Sequence, residues 1–180
     1  RLHAAQVKKA AGITPPQVRA ILHKFAGPRV NGSRKGRKRF DHWELAIGAA
    51  ICLGYKLLLR YDDLKRCRWE AGYCDVFPTY IRFYLDGRKN NQYGGDFLDV
   101  AAPETPDEMG VYHIVLLARE MFNGKGFVLA NISTSGTVDT PRCMSHKLFV
   151  HHLRGALIEV GLSERQAPAY SAHSLRAGGA

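Results

Sequence analysis

The sequence predicts a mixed α/β domain, mainly helical, with one small antiparallel sheet of about three strands. Four stretches repeat apolar residues at helical spacing, whereas TYIRFYLD at 79–86 alternates apolar and polar positions. A Gly- and Asn-rich reversal follows that alternation and leads into a second short apolar run. At 180 residues, 46% hydrophobic and 23% charged, the chain has the size and balance of one domain with its own core, so residues 1–180 are expected to form a single unit.

The first helix is read from ITPPQVRAILHKFAG. Thr14 is placed to cap it, prolines occupy its first turn, and Val18, Ile21, Leu22 and Phe25 share one face before Gly27. PRVNGSRKGRKRF, at 28–40, has the punctuation of an exposed loop. Asp41 then caps a long apolar helix from about His42 to Leu59, the expected centre of the core, and RYDDLKRC continues it as a further turn or a second short helix. In the alternating stretch Ile81, Phe83 and Leu85 face inward, and Tyr80, Arg82 and Tyr84 face outward. GRKNNQYGG reverses the chain, DFLDVAA returns as the partner strand, and EAGYCDVF is a candidate third strand. A helix is expected from Thr105 and Pro106 to Gly124, and another over 144–160, where the apolar pattern runs from Leu148 to Val160 and stops at Gly161. A last helix begins near His173.

The net charge of +10 is unevenly placed. Residues 1–40 hold eleven Lys or Arg and no Asp or Glu, leaving fifteen basic against sixteen acidic residues in the remainder. Arg34, Lys35, Arg37, Lys38 and Arg39 put five cations in six positions, a pattern suited to neutralising phosphates and equally compatible with a solvated loop or an import signal. The longest apolar stretch is too short and too interrupted to span a bilayer, which argues against a membrane partner, and no secretory leader is visible. Cys52, Cys67, Cys74 and Cys143 lack CxxC spacing and suggest a reduced, intracellular protein. A zinc site from Cys67, Cys74, Cys143 and His146 is too loosely spaced to be favoured, so no metal and no cofactor are expected.

Three stretches carry a resemblance. LGYKLLLRYDDLKRCRW is similar to the first-arginine motif of the tyrosine recombinase (phage integrase) family, with Arg60 after an apolar helix and Asp63 three residues on. YLDGRKNNQYGGDFLDV resembles that family's lysine-bearing hairpin, and AYSAHSLRAGGA resembles its His-x-x-Arg motif. Two departures stand out. Leu57 and Leu58 replace the Thr-Gly pair common before the first arginine, and AGGA replaces the commoner His-Thr after the second, which suggests a divergent, mobile-element type of branch. HHLR at 151–154 has the spacing of the His-x-x-Arg motif but lies within a helix, so it is read as structural.

The resemblance implies a tyrosine-recombinase-type catalytic domain that breaks and rejoins double-stranded DNA through a phosphotyrosine intermediate and assembles as a synaptic tetramer on its substrate. Arg60 and Arg176 would meet the charge on the non-bridging oxygens, because each guanidinium is permanently charged and forks onto two oxygens. Lys89 would protonate the departing 5′ oxygen, His173 would assist the nucleophile or hold the phosphate, and Asp63 would orient Arg60 or His173. Arg88 would join the basic loop in contacting DNA. The family also implies a preceding core-binding domain and a nucleophilic tyrosine about 30 to 40 residues beyond the second arginine. None of the eight tyrosines follows Arg176, so this chain alone is expected to bind DNA weakly and to form no covalent adduct. Two other readings stay open: a non-catalytic DNA-binding relative and a type IB topoisomerase-like nicking enzyme. Localisation follows the DNA, in a nucleus or in a bacterial cytoplasm.

Overall fold

The fold is seen in a computed structural model that describes residues 9–27, 42–88, 91–105, 109–133, 135 and 137–179. Among these residues there are six α-helices, one of them central to the others, and a three-stranded sheet packs to one side. The basic loop with Arg34, Lys35, Arg37, Lys38 and Arg39, and Asp41 after it, lie outside the described residues.

Helix α1, Pro15–Ala26, is capped as its sequence predicts. The Thr14 hydroxyl accepts from the Gln17 N–H, and the Gln17 side chain accepts from the Thr14 N–H in return. Helix α2, His42–Lys56, is the hub. Leu45 to Gly54 is buried on every face, as an all-round apolar helix requires, and α2 touches α1 and the later helices α4 (Val111–Met121), α5 (His146–Glu159) and α6 (His173–Gly179). No helix of the described residues is long and apolar enough to cross a membrane.

After the single-turn helix α3, Tyr61–Leu64, strands β1 (Cys74–Phe77), β2 (Tyr80–Arg88) and β3 (Asn91–Ala101) form an antiparallel sheet in the order β1-β2-β3. Ile81, Phe83 and Leu85 are fully buried, the inward face predicted from the alternation. On the outward face Arg82 makes a two-pronged pair with Asp99 at 2.7 and 2.8 Å, and its guanidinium lies over the rings of Tyr80 and Phe97. The reversal is tighter than expected: Gly87, at φ 64°, is a bulge within β2, and Arg88 still pairs with Asn91. Gly95 belongs to β3 and lies under the Tyr84 ring, so close that any Cβ there would collide with it.

Two other expectations need correction. Helix α4 begins at Val111 rather than at Pro106, because the Gly110 N–H is satisfied by Nδ1 of His113 (3.1 Å) and Gly110 is the cap. A second, two-stranded sheet was not predicted. Its strands, β4 (Ala130–Ile132) and β5 (Val138–Cys143), are short, and Pro141 and Arg142 interrupt any apolar alternation.

Candidate active site

Arg60 owes its position to the way α2 ends. Leu58 has φ 54°, the left-handed conformation; its N–H reaches the Tyr55 carbonyl, and the Leu59 N–H reaches the Gly54 carbonyl at 2.9 Å. That pair of bonds is a Schellman stop, normally built on glycine. Leu58 stands where the resembled motif has its glycine, and it takes the backbone that glycine favours at a steric cost of roughly 1–2 kcal/mol. Leu59 is fully buried and anchors the turn. Arg60 follows in extended backbone as the N-cap of α3, and its main-chain N–H donates to Oδ2 of Asp63 at 3.1 Å. The Asp63 carboxylate therefore holds the backbone that carries Arg60.

The opposite half of the arrangement is α6. Its first turn is tied by two serines: the Ser171 N–H donates to Oγ of Ser174 (2.9 Å), and the Ser174 N–H donates to the Ser171 carbonyl (2.9 Å). The His173 N–H donates to Oγ of Ser171, which leaves the imidazole exposed at the start of the helix. Leu175, fully buried, points into α2, where its Cδ1 would lie only 2.7 Å from a Cβ built on Gly54. Gly54 thus serves both halves. Its missing side chain admits Leu175, flanked by His173 and Arg176, and its carbonyl holds Leu59, the neighbour of Arg60. The first-arginine turn and the start of α6 both meet α2 at Gly54, with Arg176 and His173 exposed and Arg60 half-buried. Arg60, His173 and Arg176 each reach solvent, where a cationic or protonatable group can meet an anion from outside.

No protein-family model matches the chain, and no curated protein does. Solved structures do. The XerH site-specific recombinase bound to palindromic difH substrate, in a post-cleavage complex, superposes with a TM-score of 0.55 at 11% identity, over 96% of this chain and 41% of that one. The pre-cleavage complex of XerH with difH gives 0.54 at 11% identity, over 96% and 42%. The chain has the tyrosine-recombinase fold. It spans about two fifths of the length of these recombinase chains.

Within this recombinase fold the remaining predicted residues divide. Lys89 lies outside the described residues, as does the side chain of Arg88. The hairpin just before Lys89 is tied to the first-arginine segment by a residue the sequence analysis did not single out: Nη1 of Arg66 donates to the carbonyls of Asp86 (3.0 Å) and Gly87 (2.7 Å). Tyr61, next to Arg60, is committed elsewhere. Its hydroxyl donates to the Met144 carbonyl at 2.6 Å, and burial raises its pKa above the ordinary phenol value, with Cys143 and Asp62 adding to the effect. Tyr170 is buried in the core and accepts from Nε2 of Gln17 at 3.4 Å.

HHLR is structural in a specific sense. His152 is buried, and its Nε2 donates to the Ile132 carbonyl at 3.1 Å; burial lowers its pKa, and neighbouring His151 lowers it further, against the hydrogen bond. Nε of Arg154 donates to the Tyr170 carbonyl (2.9 Å) and Nη2 to that of Pro168 (3.2 Å). His151 is exposed on the rim of a cavity of about 240 Å³ shared with Trp43, Ser133, Ser135 and Glu159, which holds none of the predicted catalytic residues. The thiols are local donors, Cys67 to the Asp63 carbonyl and Cys143 to that of Lys65, and among the described residues no three His, Cys, Asp or Glu side chains are gathered as a metal would require.

Proposed function

We propose that the chain belongs to the catalytic domain of a site-specific DNA recombinase, and that Arg60, His173 and Arg176 form its phosphate clamp. The observation that carries this reading is the meeting of the first-arginine turn and the His-x-x-Arg helix at Gly54, in a fold shared with recombinases solved on DNA. In the reaction a tyrosine hydroxyl attacks the scissile phosphorus, a 3′-phosphotyrosyl bond forms, and the P–O5′ bond breaks. The two guanidiniums offset the charge that builds on the non-bridging oxygens. His173 holds the phosphate or takes the tyrosine proton in this reading, and Lys89 supplies a proton to the 5′ oxygen. Asp63 keeps Arg60 in place through its main chain. The basic loop from Arg34 to Arg39, with Arg88, adds sequence-independent contact to the DNA backbone. The partner is double-stranded DNA, on which copies of the full-length protein assemble as a synaptic tetramer, wherever in the cell that DNA lies.

The test is covalent trapping. A nicked suicide duplex is offered to the product of the longest open frame that contains this chain, and the protein–DNA adduct is scored on a denaturing gel. An adduct that is lost in Arg60→Ala and Arg176→Ala supports the reading. DNA binding without an adduct would favour a non-catalytic relative, and an adduct without synapsis of two sites would favour a nicking topoisomerase.

A further inference from the structure

We infer that Arg154 is a positioning residue for the phosphate clamp, an inference that rests on the function proposed above. Arg154 projects from the middle of α5, and its guanidinium bonds the carbonyls of Pro168 and Tyr170. The carbonyl between them, that of Ala169, accepts the Ala11 N–H at 2.9 Å. Three consecutive carbonyls are therefore held immediately before the Ser171–Ser174 cap that starts α6. A planar guanidinium reaching carbonyls two residues apart fixes both the place and the direction of the segment, and that segment delivers His173 and Arg176. The segment runs directly into α6, so where it is held sets where the first turn of that helix begins. Arg154 touches no reacting atom; it acts through the angle at which α6 meets Gly54.

Substrate charge separates this role from simple stabilisation. Arg176 answers the negative charge on the non-bridging oxygens, and a methylphosphonate at the scissile linkage carries no such charge. In single-turnover cleavage by the full-length protein, Arg176→Ala should cost roughly 10²-fold or more on the phosphodiester and far less on the methylphosphonate. Arg154→Ala should repeat that pattern at smaller amplitude, about 10- to 100-fold on the phosphodiester, the size expected of a misplacement near 1 Å, and under about threefold on the methylphosphonate. Arg154→Lys keeps the cation but not the fork and should fall between wild type and Arg154→Ala; it carries the test alone if the alanine variant does not fold. Equal losses on both substrates for the Arg154 variants, with Arg176→Ala still sensitive to charge, would overturn the inference and leave the clamp standing. Equal losses for Arg176→Ala would overturn the clamp and Arg154's part in it together.

Discussion

Two Gly→Ala changes, both in helices, should move stability in opposite directions. At Gly178 in α6 a Cβ would collide with the main chain of Ile13, whose carbonyl oxygen and nitrogen lie against the helix backbone. No rotamer relieves a contact with backbone, so the 11–13 segment or the end of α6 must give way. The segment holds Ile13, fully buried, and two main-chain bonds: Ile13 N–H to the Ser174 carbonyl at 3.0 Å and Ala11 N–H to the Ala169 carbonyl at 2.9 Å. Freeing it removes about 1.5–3 kcal/mol of burial and about 0.5–1.5 kcal/mol per bond, offset by about 1 kcal/mol of helix propensity. The net loss is about 1.5–5 kcal/mol, a fall in Tm of roughly 3–20 °C for a domain of this size. At Gly155 in α5 a Cβ would have nothing within 4 Å, so only the propensity gain of about 1 kcal/mol remains and Tm should rise by roughly 2–4 °C. Thermal melts followed by circular dichroism, with urea midpoints as a check, decide the matter. If Gly178→Ala melts at or above wild type, the close approach of Ile13 to α6 is wrong, and with it this explanation of why small residues follow Arg176.

Three further outcomes follow from the same contacts. Leu58→Ile keeps the composition but puts a branched Cβ at φ 54°, and a loss of about 1 kcal/mol or more is expected in urea titration; an unchanged midpoint would mean that α2 does not end in the left-handed turn. His152 has its pKa held below the free value of 6.5, so the unfolded chain binds the extra proton first; its contribution to stability is complete above about pH 6.5 and is lost as pH falls below it, and His152→Gln should flatten stability between roughly pH 7.5 and 5.5. Arg66→Ala removes both bonds to the hairpin, and amide exchange should quicken about three- to tenfold around Tyr84–Asp86 and Gly94–Asp96 while Ile81–Phe83 and Leu98–Val100 keep their protection; uniform acceleration would contradict a local tie.

The fold was readable where one period dominated. Val18, Ile21, Leu22 and Phe25 repeat on a helix face, Ile81, Phe83 and Leu85 alternate on a strand, and all seven are buried. It was unreadable where two signals competed. Pro106 with its neighbouring acids imitates a helix start, yet the start belongs to Gly110, because only the folded helix brings His113 Nδ1 to the Gly110 N–H. Gly87 and Gly95 look like turn residues and are instead a bulge and a seat for the Tyr84 ring, a distinction that depends on the partner strand. Strands β4 and β5 are held by pairing across a break at 133–137 and have too few apolar positions to announce themselves.

The same division runs through the candidate site. Arg60, Asp63, His173 and Arg176 were found because their spacing follows a known motif, and spacing is what a sequence displays. Arg66 and Arg154 were invisible because their partners are main-chain carbonyls, of Asp86 and Gly87 in one case and of Pro168 and Tyr170 in the other. A carbonyl has no letter of its own, so no pattern of residues marks it as an acceptor. HHLR shows the consequence. It shares its spacing with the His-x-x-Arg motif by chance, yet its arginine bonds the loop that delivers the motif. The two departures noted ahead of Arg60 and after Arg176 have the same origin. Leu58 keeps a glycine's backbone without being glycine, and Gly178 is small because Ile13 passes directly against it. At Leu58 and at Gly178 the motif is broken where main chain, not side chain, sets the local geometry.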